Sequence, residues 1–323
     1  MPLRESELIR RIRRSARASR NRVVVAGIGD DCAILRTTPG CDSLVTTDFS
    51  IEGTHFRREW HPGNAVGHRC LARGLSDIAA MGGEPRAAFL SLAIPGKLPR
   101  QWVDKFLAGL LHLARRHKVE LAGGDISSAP VICADICVVG EVPRGTWLPR
   151  SGARPGDSIF VTGTLGAAAA VLQALRAGEP VSPRSRGARQ HFYPEPRIAV
   201  GQYLRDRGLA TAAIDVSDGF STDLNHICQE SKVAAVVHEH SLPRPTPANW
   251  LRHTSALHLA LHGGDDYELL FTAPPAARIP RTICGVRVTR VGEIISGRPQ
   301  ILLMDSHGQR KALTPGGWQA FSE

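Results

Sequence analysis

Aspartates stand at the ends of apolar, strand-like runs throughout this chain, and their repetition constrains the fold more than any other feature. The run Ser43–Thr47 ends at Asp48, for example. A single aspartate in such a place is ordinarily a turn residue or a helix cap. The pattern recurs, however, at Asp30 and Asp31, Asp48, Asp125, Asp215 and Asp218, and Asp265 and Asp266, and Asp77 lies within the run Leu75–Met81. We therefore expect a fold in which strand ends gather carboxylates.

Gathered carboxylates repel one another unless cations neutralise them. Hard oxygen ligands without His or Cys partners favour Mg²⁺ or Mn²⁺ over zinc. Glycines next to several of these aspartates, at Gly27 and Gly29, Gly123–Gly124 and Gly263–Gly264, permit positive φ and close backbone approach to phosphate oxygens, although plain tight turns would explain each one separately. The pattern predicts a site with several magnesium ions that holds phosphates.

The best-known phosphate-binding motifs are absent from the sequence. There is no G-x-x-x-x-G-K-[ST] loop and no H-R-D or D-F-G kinase set. The Gly27–Gly29 turn lacks the third glycine of a dinucleotide fingerprint, which argues against a Rossmann oxidoreductase.

Composition and charge narrow the remaining classes. A chain of 323 residues with 42% apolar residues corresponds to about two folded domains. The net charge is +10, but residues 1–22 hold eight Arg and two Glu and so carry +6 of it, which leaves +4 for the rest. No basic face with interleaved aromatics supports nucleic-acid recognition, and no stretch nears the ~18 apolar residues of a membrane span. Seven cysteines without a C-x-x-C pair favour reduced thiols in a cytoplasmic protein.

Proline and glycine clusters between residues 142 and 157 indicate a domain boundary. We expect an N-terminal α+β domain over residues 1–148. Strands and helices alternate beyond that point, so we expect a C-terminal α/β domain over residues 149–323.

Six ordered motifs resemble the thiamine-monophosphate kinase family, in the superfamily of aminoimidazole ribonucleotide synthetase. They are Gly27–Ala33, Thr46–Asp48 with Glu52–Phe56, Leu75–Gly82, Gly123–Asp125, Ile214–Gly219 and Gly264–Thr272. The resemblance implies the two-domain fold of that superfamily, with a dimerising N-terminal half whose strand edges pair across a two-fold axis. It also implies transfer of phosphate from ATP to thiamine monophosphate, with several Mg²⁺ ions and no phosphorylated side chain.

The resemblance further implies a role for each matching residue. Metal ligation is implied for Asp31, Thr46, Thr47, Asp48, Asp77, Asp125, Asp215 and Asp218. ATP contacts are implied for Gly124, Asp125, Arg150 and Ser217, with Phe106 stacking near adenine. Contacts to the acceptor substrate are implied for His55, Asp265 and Trp318. No residue is expected to act as a catalytic nucleophile.

This sequence departs from the family pattern at a few positions, and two other functions stay open. Arg73 and Gly74 stand where the family usually has Val and Asn, Asp265 stands where it has Glu, and Ile126–Ser128 replaces two threonines. One alternative is another ATP-dependent synthetase of the superfamily with a different phosphate acceptor. The other is a non-catalytic nucleotide or nucleic-acid binder that uses the arginine-rich start.

Overall fold

The computed structural model describes residues 12, 14–15, 23–26, 34–185, 187–245 and 254–319. These residues form two compact units. The first contains residues up to 78 and residues 83–146, and the second contains residues 79–82 and those from 147 onward. No described helix is long and apolar enough to cross a lipid bilayer.

The first unit is built on a four-stranded sheet. Its strands and helices, with a short preceding strand pair, are β1 (Val24–Ala26), β2 (Ile34–Leu35), β3 (Cys41–Ile51), α1 (Gly63–Ala80), β4 (Glu84–Ile94), α2 (Arg100–Arg116), β5 (Glu120–Ser128) and β6 (Cys133–Pro143). The strand order is β3-β6-β4-β5, in which β4 and β5 run parallel and the other neighbours run antiparallel. The outer strands of this sheet are therefore β3 and β5.

The two faces of this sheet differ because side chains alternate along each strand. Ala134, Ile136 and Val138 of β6 are fully buried, and α1 packs on this face, where Gly74 lies against Val138. On the opposite face β3 exposes Val45 and Phe49, at 65% and 55% of their surface. The helices thus cover one face and leave an apolar face open.

The second unit is built on an eight-stranded sheet. Its elements are β7 (Ser158–Thr162), α3 (Ala167–Arg176), α4 (Arg189–Phe192), α5 (Ile198–Asp206), β8 (Ala212–Val216), α6 (Phe220–Ser231), β9 (Ala234–His238), a 3₁₀ turn (Glu239–Ser241), α7 (Ala256–His262), β10 (Glu268–Ala273), β11 (Thr282–Ile283), β12 (Val286–Ile295), β13 (Gln300–Met304) and β14 (Arg310–Leu313). The order is β14-β13-β9-β12-β7-β10-β8, with β11 beside β12.

The predicted mixture of helices and strands in both halves is confirmed, and the strand Ala212–Val216 has the predicted bounds. The directions of the strands add a detail that alternation alone does not specify. Most neighbours in the second sheet are antiparallel, and β9 and β13 are a parallel pair. The buried side chains of β8 and β10 form the centre of the core, so the loops that follow them start from fixed positions.

Candidate active site

Three residues predicted to bind metal lie together on the helix-covered face of the first unit. Thr46 and Asp48 are two positions apart on β3 and therefore point to the same face. Arg73 and Asp77 are four apart on α1 and share one side of that helix. Thr46 Oγ1 donates to Asp77 Oδ2 at 2.5 Å, and Arg73 Nε donates to Asp48 Oδ1 at 3.1 Å. The result is a group of hydroxyl and carboxylate oxygens beside one guanidinium.

Asp125 lies on the other face and at the other edge of this sheet. It pairs with Ser91, Ser91 pairs with Asp135, and Asp135 pairs with Phe49 of β3. Directly paired residues share a face, so Asp125 is on the open face with Phe49. Three strand spacings separate β5 from β3, on the order of 14 Å. Within one copy of the chain, Asp48 and Asp125 therefore do not converge. Thr47 also points to the open face, because it is adjacent to Asp48 on β3.

The Gly123–Asp125 segment explains why two glycines precede this aspartate. Gly124 has φ +142°, a conformation that favours glycine. A Cβ on Gly124 would also overlap the Leu90 carbonyl oxygen, and one on Gly123 would lie 2.9 Å from the Phe89 ring. The segment can pass this close to β4 only without side chains, and the exposed carboxylate of Asp125 follows directly.

Asp135 was missed by the sequence reasoning. It lies on the open face between Phe49 and Ser91, and burial, with the charge of Asp48 as a second cause, raises the pKa of its carboxyl. Alternation along β6 assigns it a face but gives no indication of a role.

His55 lies in the turn that follows β3. The Ile51 backbone N–H donates to His55 Nδ1 at 3.0 Å, so the neutral imidazole carries its proton on Nε2. The next residue, Phe56, is buried, and its ring stacks on Trp102. The turn therefore fixes His55, half-buried, as a ring whose Nε2–H can donate.

Phe106 is a correction to the sequence prediction. Its side chain is fully buried on α2, and its ring stacks on Trp102 with centroids 5.7 Å apart. No face of the ring is open to a nucleotide, so the predicted stacking near adenine is wrong and Phe106 is a core residue.

In the second unit, the loop after β8 brings predicted metal, ATP and acceptor residues together. The Ser217 carbonyl oxygen accepts from the Asp265 N–H at 2.8 Å, and the Asp218 carbonyl oxygen accepts from the Trp318 N–H at 2.9 Å. A Cβ on Gly264 would lie 2.5 Å from the Ser217 oxygen, which accounts for the glycine before Asp265. Asp215 is buried at the end of β8, directly before this loop. Segments distant in sequence thus meet at one loop.

Asp265 and Asp266 are neighbours in the loop after α7, but their side chains have different environments. Asp265 has φ +65° and Tyr267 has φ +51°, a left-handed conformation that is uncommon for residues with side chains. The Tyr267 hydroxyl donates to Asp265 Oδ1 at 2.7 Å. Asp266 is buried instead and accepts from the Gly166 and Ala168 N–H groups at the start of α3. Asp265 is therefore tied to the Asp218 loop through its backbone, with its carboxylate held by Tyr267, whereas Asp266 caps a helix.

Asp223 and His226 are two further residues that the sequence reasoning missed. Asp218, Asp223 and His226 each have a ligand atom within 4.8 Å of the others. Burial raises the pKa of the Asp223 carboxyl well above its usual range, and the charges of Asp215 and Asp218 add to this. Asp223 Oδ2 also accepts from the Gly219 N–H at 3.0 Å. The i, i+3 spacing of Asp223 and His226 on α6 was the available signal.

Arg150 is not part of either group. The Arg150 carbonyl oxygen accepts from Ser231 at the end of α6, and Asp218 precedes the start of that helix. A helix of 12 residues spans about 18 Å, so Arg150 is not brought to the Asp218 loop within this unit. Asp31 lies outside the described residues.

The donor sets in both units suit magnesium. They consist of carboxylate and hydroxyl oxygens, the ligands that Mg²⁺ prefers, and His226 adds a nitrogen donor to the second. A buried carboxylate beside two others, as at Asp223, is a place where a cation lowers the electrostatic free energy.

Both halves of the chain match known proteins. The family model described as AIR synthase related protein, N-terminal domain, matches residues 29–142, and the corresponding C-terminal domain matches residues 154–303. Thiamine-monophosphate kinase of Escherichia coli K12 is 38% identical over 300 residues, which cover 90% of each chain. The enzyme of Bacillus subtilis 168 is 35% identical over 256 residues, covering 77% of this chain and 78% of that one.

Solved structures of thiamine-monophosphate kinases are also similar to this chain. The crystal structure of thiamine-monophosphate kinase from Stenotrophomonas maltophilia K279a has a TM-score of 0.81 and 35% identity, and the match covers 96% of this chain and 99% of that one. A structure described as AaThiL complexed with AMPPCP and TMP has a TM-score of 0.77 and 33% identity, with 98% and 97% coverage. Shared sequence and shared fold along nearly the whole chain thus place it in the thiamine-monophosphate kinase family.

Proposed function

We propose that this protein transfers the γ-phosphate of ATP to thiamine monophosphate and so forms thiamine diphosphate. The observation that carries the proposal is the Asp218 loop of the second unit. There, Asp218, expected to bind metal, and Ser217, expected to contact ATP, are joined by backbone hydrogen bonds to Trp318 and Asp265, expected to contact the acceptor. Asp215, also expected to bind metal, lies in the strand before this loop. The relatives named above carry the same activity in their names.

Magnesium would be held by Thr46, Thr47, Asp48, Asp77, Asp125, Asp215 and Asp218, together with Asp31. When bound, it supplies positive charge that lets one anionic phosphate approach another. Carboxylates committed to this role are poor nucleophiles, which supports direct transfer between the two substrates without a phosphoenzyme.

The acceptor is oriented by His55, Asp265 and Trp318. His55 offers an Nε2–H donor, and Trp318 offers an indole that is 48% exposed although it is a large apolar group. An aromatic ring of this kind suits stacking on a heteroaromatic cation such as the thiazolium of thiamine. Asp265, held by Tyr267, adds a negative charge for a cationic substrate.

The enzyme acts as a homodimer, and the open face of the first sheet supports this. Val45 and Phe49 are exposed on that face, and an apolar sheet face is ordinarily buried against a second layer. The four-stranded sheet also ends in two outer strands, β3 and β5, which are available to pair with another copy.

A second copy also resolves the separation of Asp48 from Asp125. The two lie on opposite faces and opposite edges of one sheet, so they cannot ligate the same ion within one copy. If β3 of one copy lies beside β5 of the other, the strand that carries Asp125 in the second copy becomes the neighbour of the strand that carries Asp48, and three strand spacings no longer separate them. The metal group of the first unit is then completed by two chains.

The free thiols of the described cysteines are consistent with action in the reducing cytoplasm.

Incubation with γ-labelled ATP, Mg²⁺ and thiamine monophosphate tests the proposed function. We expect label in thiamine diphosphate, intersecting initial-rate patterns, and an unlabelled protein after acid quench, because both substrates must be bound at once. Chelation of Mg²⁺ should abolish product. Turnover of an aminoimidazole precursor in place of thiamine monophosphate, or a labelled protein with parallel rate patterns, would contradict the proposal.

Substitution of the acceptor residues should separate the two substrates. We expect His55→Ala and Trp318→Ala each to raise the KM for thiamine monophosphate about fivefold or more, while the KM for ATP changes less than about twofold. Trp147→Ala is the matched control, because Trp147 is another exposed tryptophan, at 44%, outside the group. Steady-state kinetics with each substrate varied in turn gives the result, and loss of ATP affinity alone would reverse the assignment.

A further inference from the structure

The C-terminal segment Gly316–Trp318 is fastened to the loop and first turn of α6 by backbone donors. The Gly316 N–H donates to Ser221 Oγ at 3.2 Å, the Gly317 N–H to Thr222 Oγ1 at 3.1 Å, and the Trp318 N–H to the Asp218 carbonyl oxygen at 2.9 Å. Three successive residues therefore each place a donor on one short stretch of α6 and its preceding loop. A single contact could be incidental, but three in register define a docked segment.

Ser221 is the central member of this arrangement. Its side chain is fully buried, and its Oγ lies 2.9 Å from His262 Nδ1 as well as 3.2 Å from the Gly316 nitrogen. A hydroxyl has one proton to donate and two lone pairs, so Ser221 can serve both partners at once. His262, the last residue of α7, thereby holds the hydroxyl in the orientation that accepts from Gly316.

The two glycines allow the segment to approach this closely. A Cβ on Gly317 would overlap the Asp218 carbonyl oxygen, and a Cβ on Gly316 would lie 2.8 Å from His262 Nδ1. The backbone of the segment therefore lies directly against Asp218 and His262, and Trp318 follows with a half-exposed indole.

We propose that Ser221, Thr222 and His262 are positioning residues that dock the C-terminal segment and thereby hold the Trp318 indole for the acceptor substrate. The inference rests on the proposed function, which gives Trp318 its acceptor. None of the three needs to touch a substrate. Their effect on catalysis passes through the backbone of Gly316–Trp318, because Ser221 and Thr222 bind that backbone and His262 orients the Ser221 hydroxyl.

The test uses full-length variants and two kinds of measurement. Ser221→Ala removes the acceptor for Gly316, and Thr222→Val removes the acceptor for Gly317 with almost no change of shape. Thr222→Ser keeps the hydroxyl and should restore the wild-type behaviour. Ser255→Ala is the matched control, because its hydroxyl also accepts a backbone N–H, from Leu257 at 3.2 Å, at the opposite end of α7 from His262.

Kinetics and hydrogen exchange should change together. In Ser221→Ala and Thr222→Val we expect the KM for thiamine monophosphate to rise about fivefold, with the KM for ATP unchanged, and the amides of residues 316–318 to exchange about tenfold faster. Thr222→Ser and Ser255→Ala should show neither change. If Ser221→Ala fails to fold, the Thr222 pair alone gives the answer.

The outcomes distinguish this inference from the proposed function. Faster exchange at 316–318 with an unchanged KM for thiamine monophosphate in a working enzyme would overturn the positioning role, as would unchanged exchange. A wild-type protein that does not phosphorylate thiamine monophosphate would instead overturn the proposed function, because that measurement involves no variant.

Discussion

Replacement of Asp48 by asparagine is expected to lower kcat for thiamine diphosphate formation about a hundredfold or more, equivalent to about 3 kcal/mol of transition-state stabilisation. The substitution keeps the shape of the side chain but removes the charge beside Thr46 and Asp77. Asp125→Asn should cause a loss of similar size, because its exposed carboxylate follows a strand segment shaped by Gly123 and Gly124.

Asp42→Asn provides the matched control on the same strand. Asp42 is the second residue of β3 and accepts from the Gly145 N–H at 3.0 Å, away from Thr46 and Asp77. Its replacement should leave kcat within about twofold of the wild type. Near-normal activity of a folded Asp48→Asn or Asp125→Asn enzyme would remove that residue from the metal group.

Local patterns in the sequence predict about half of the elements and mark segments that meet at the Asp218 loop. The strand Ala212–Val216, which contains Asp215, is predicted directly by its apolar residues. Gly264–Asp265 marks a close approach that the structure places at Ser217. Glycine next to aspartate is informative because a missing Cβ and a carboxylate are both local properties. The hydrogen bonds of Asp265 to Ser217 and of Trp318 to Asp218 are long-range contacts that the motifs alone do not specify.

The order of strands in a sheet is not a local property, so the sequence motifs do not predict it. Nothing near Asp48 or Asp125 indicates that β6 and β4 lie between their strands. Because the motifs follow one another along the sequence, they suggest a single site within one chain. The strand order β3-β6-β4-β5 instead puts the carboxylates of Asp48 and Asp125 at opposite edges of the sheet. Register then assigns them to opposite faces.

Burial was the second property that the sequence could not supply. Phe106 occurs on α2 at helical spacing with other apolar residues. A core residue and a residue that stacks on a ligand show the same spacing, so the spacing does not distinguish them. Asp265 and Asp266 are adjacent, yet one is half-buried and held by the Tyr267 hydroxyl, and the other is buried and caps α3. Only the tertiary structure distinguishes the members of such pairs.

Mixed dimers test whether two chains complete the site. If Asp125 of a second copy completes the group at Asp48, a heterodimer of one Asp48→Asn chain and one Asp125→Asn chain contains one site with both carboxylates intact. Co-expression with two affinity tags and tandem purification yields this heterodimer free of either parent. Two-fold symmetry then predicts about half of the wild-type activity per dimer, although both parent homodimers are nearly inactive.

The reciprocal heterodimer pairs a wild-type chain with an Asp48→Asn/Asp125→Asn double variant. A shared site leaves this dimer inactive, because each site then has one substituted carboxylate. Thiamine diphosphate formation, measured on both heterodimers at equal dimer concentration, is therefore the decisive measurement. The account predicts activity in the first heterodimer and almost none in the second. Activity in the second with none in the first would show that each chain builds its own site, and would contradict the account.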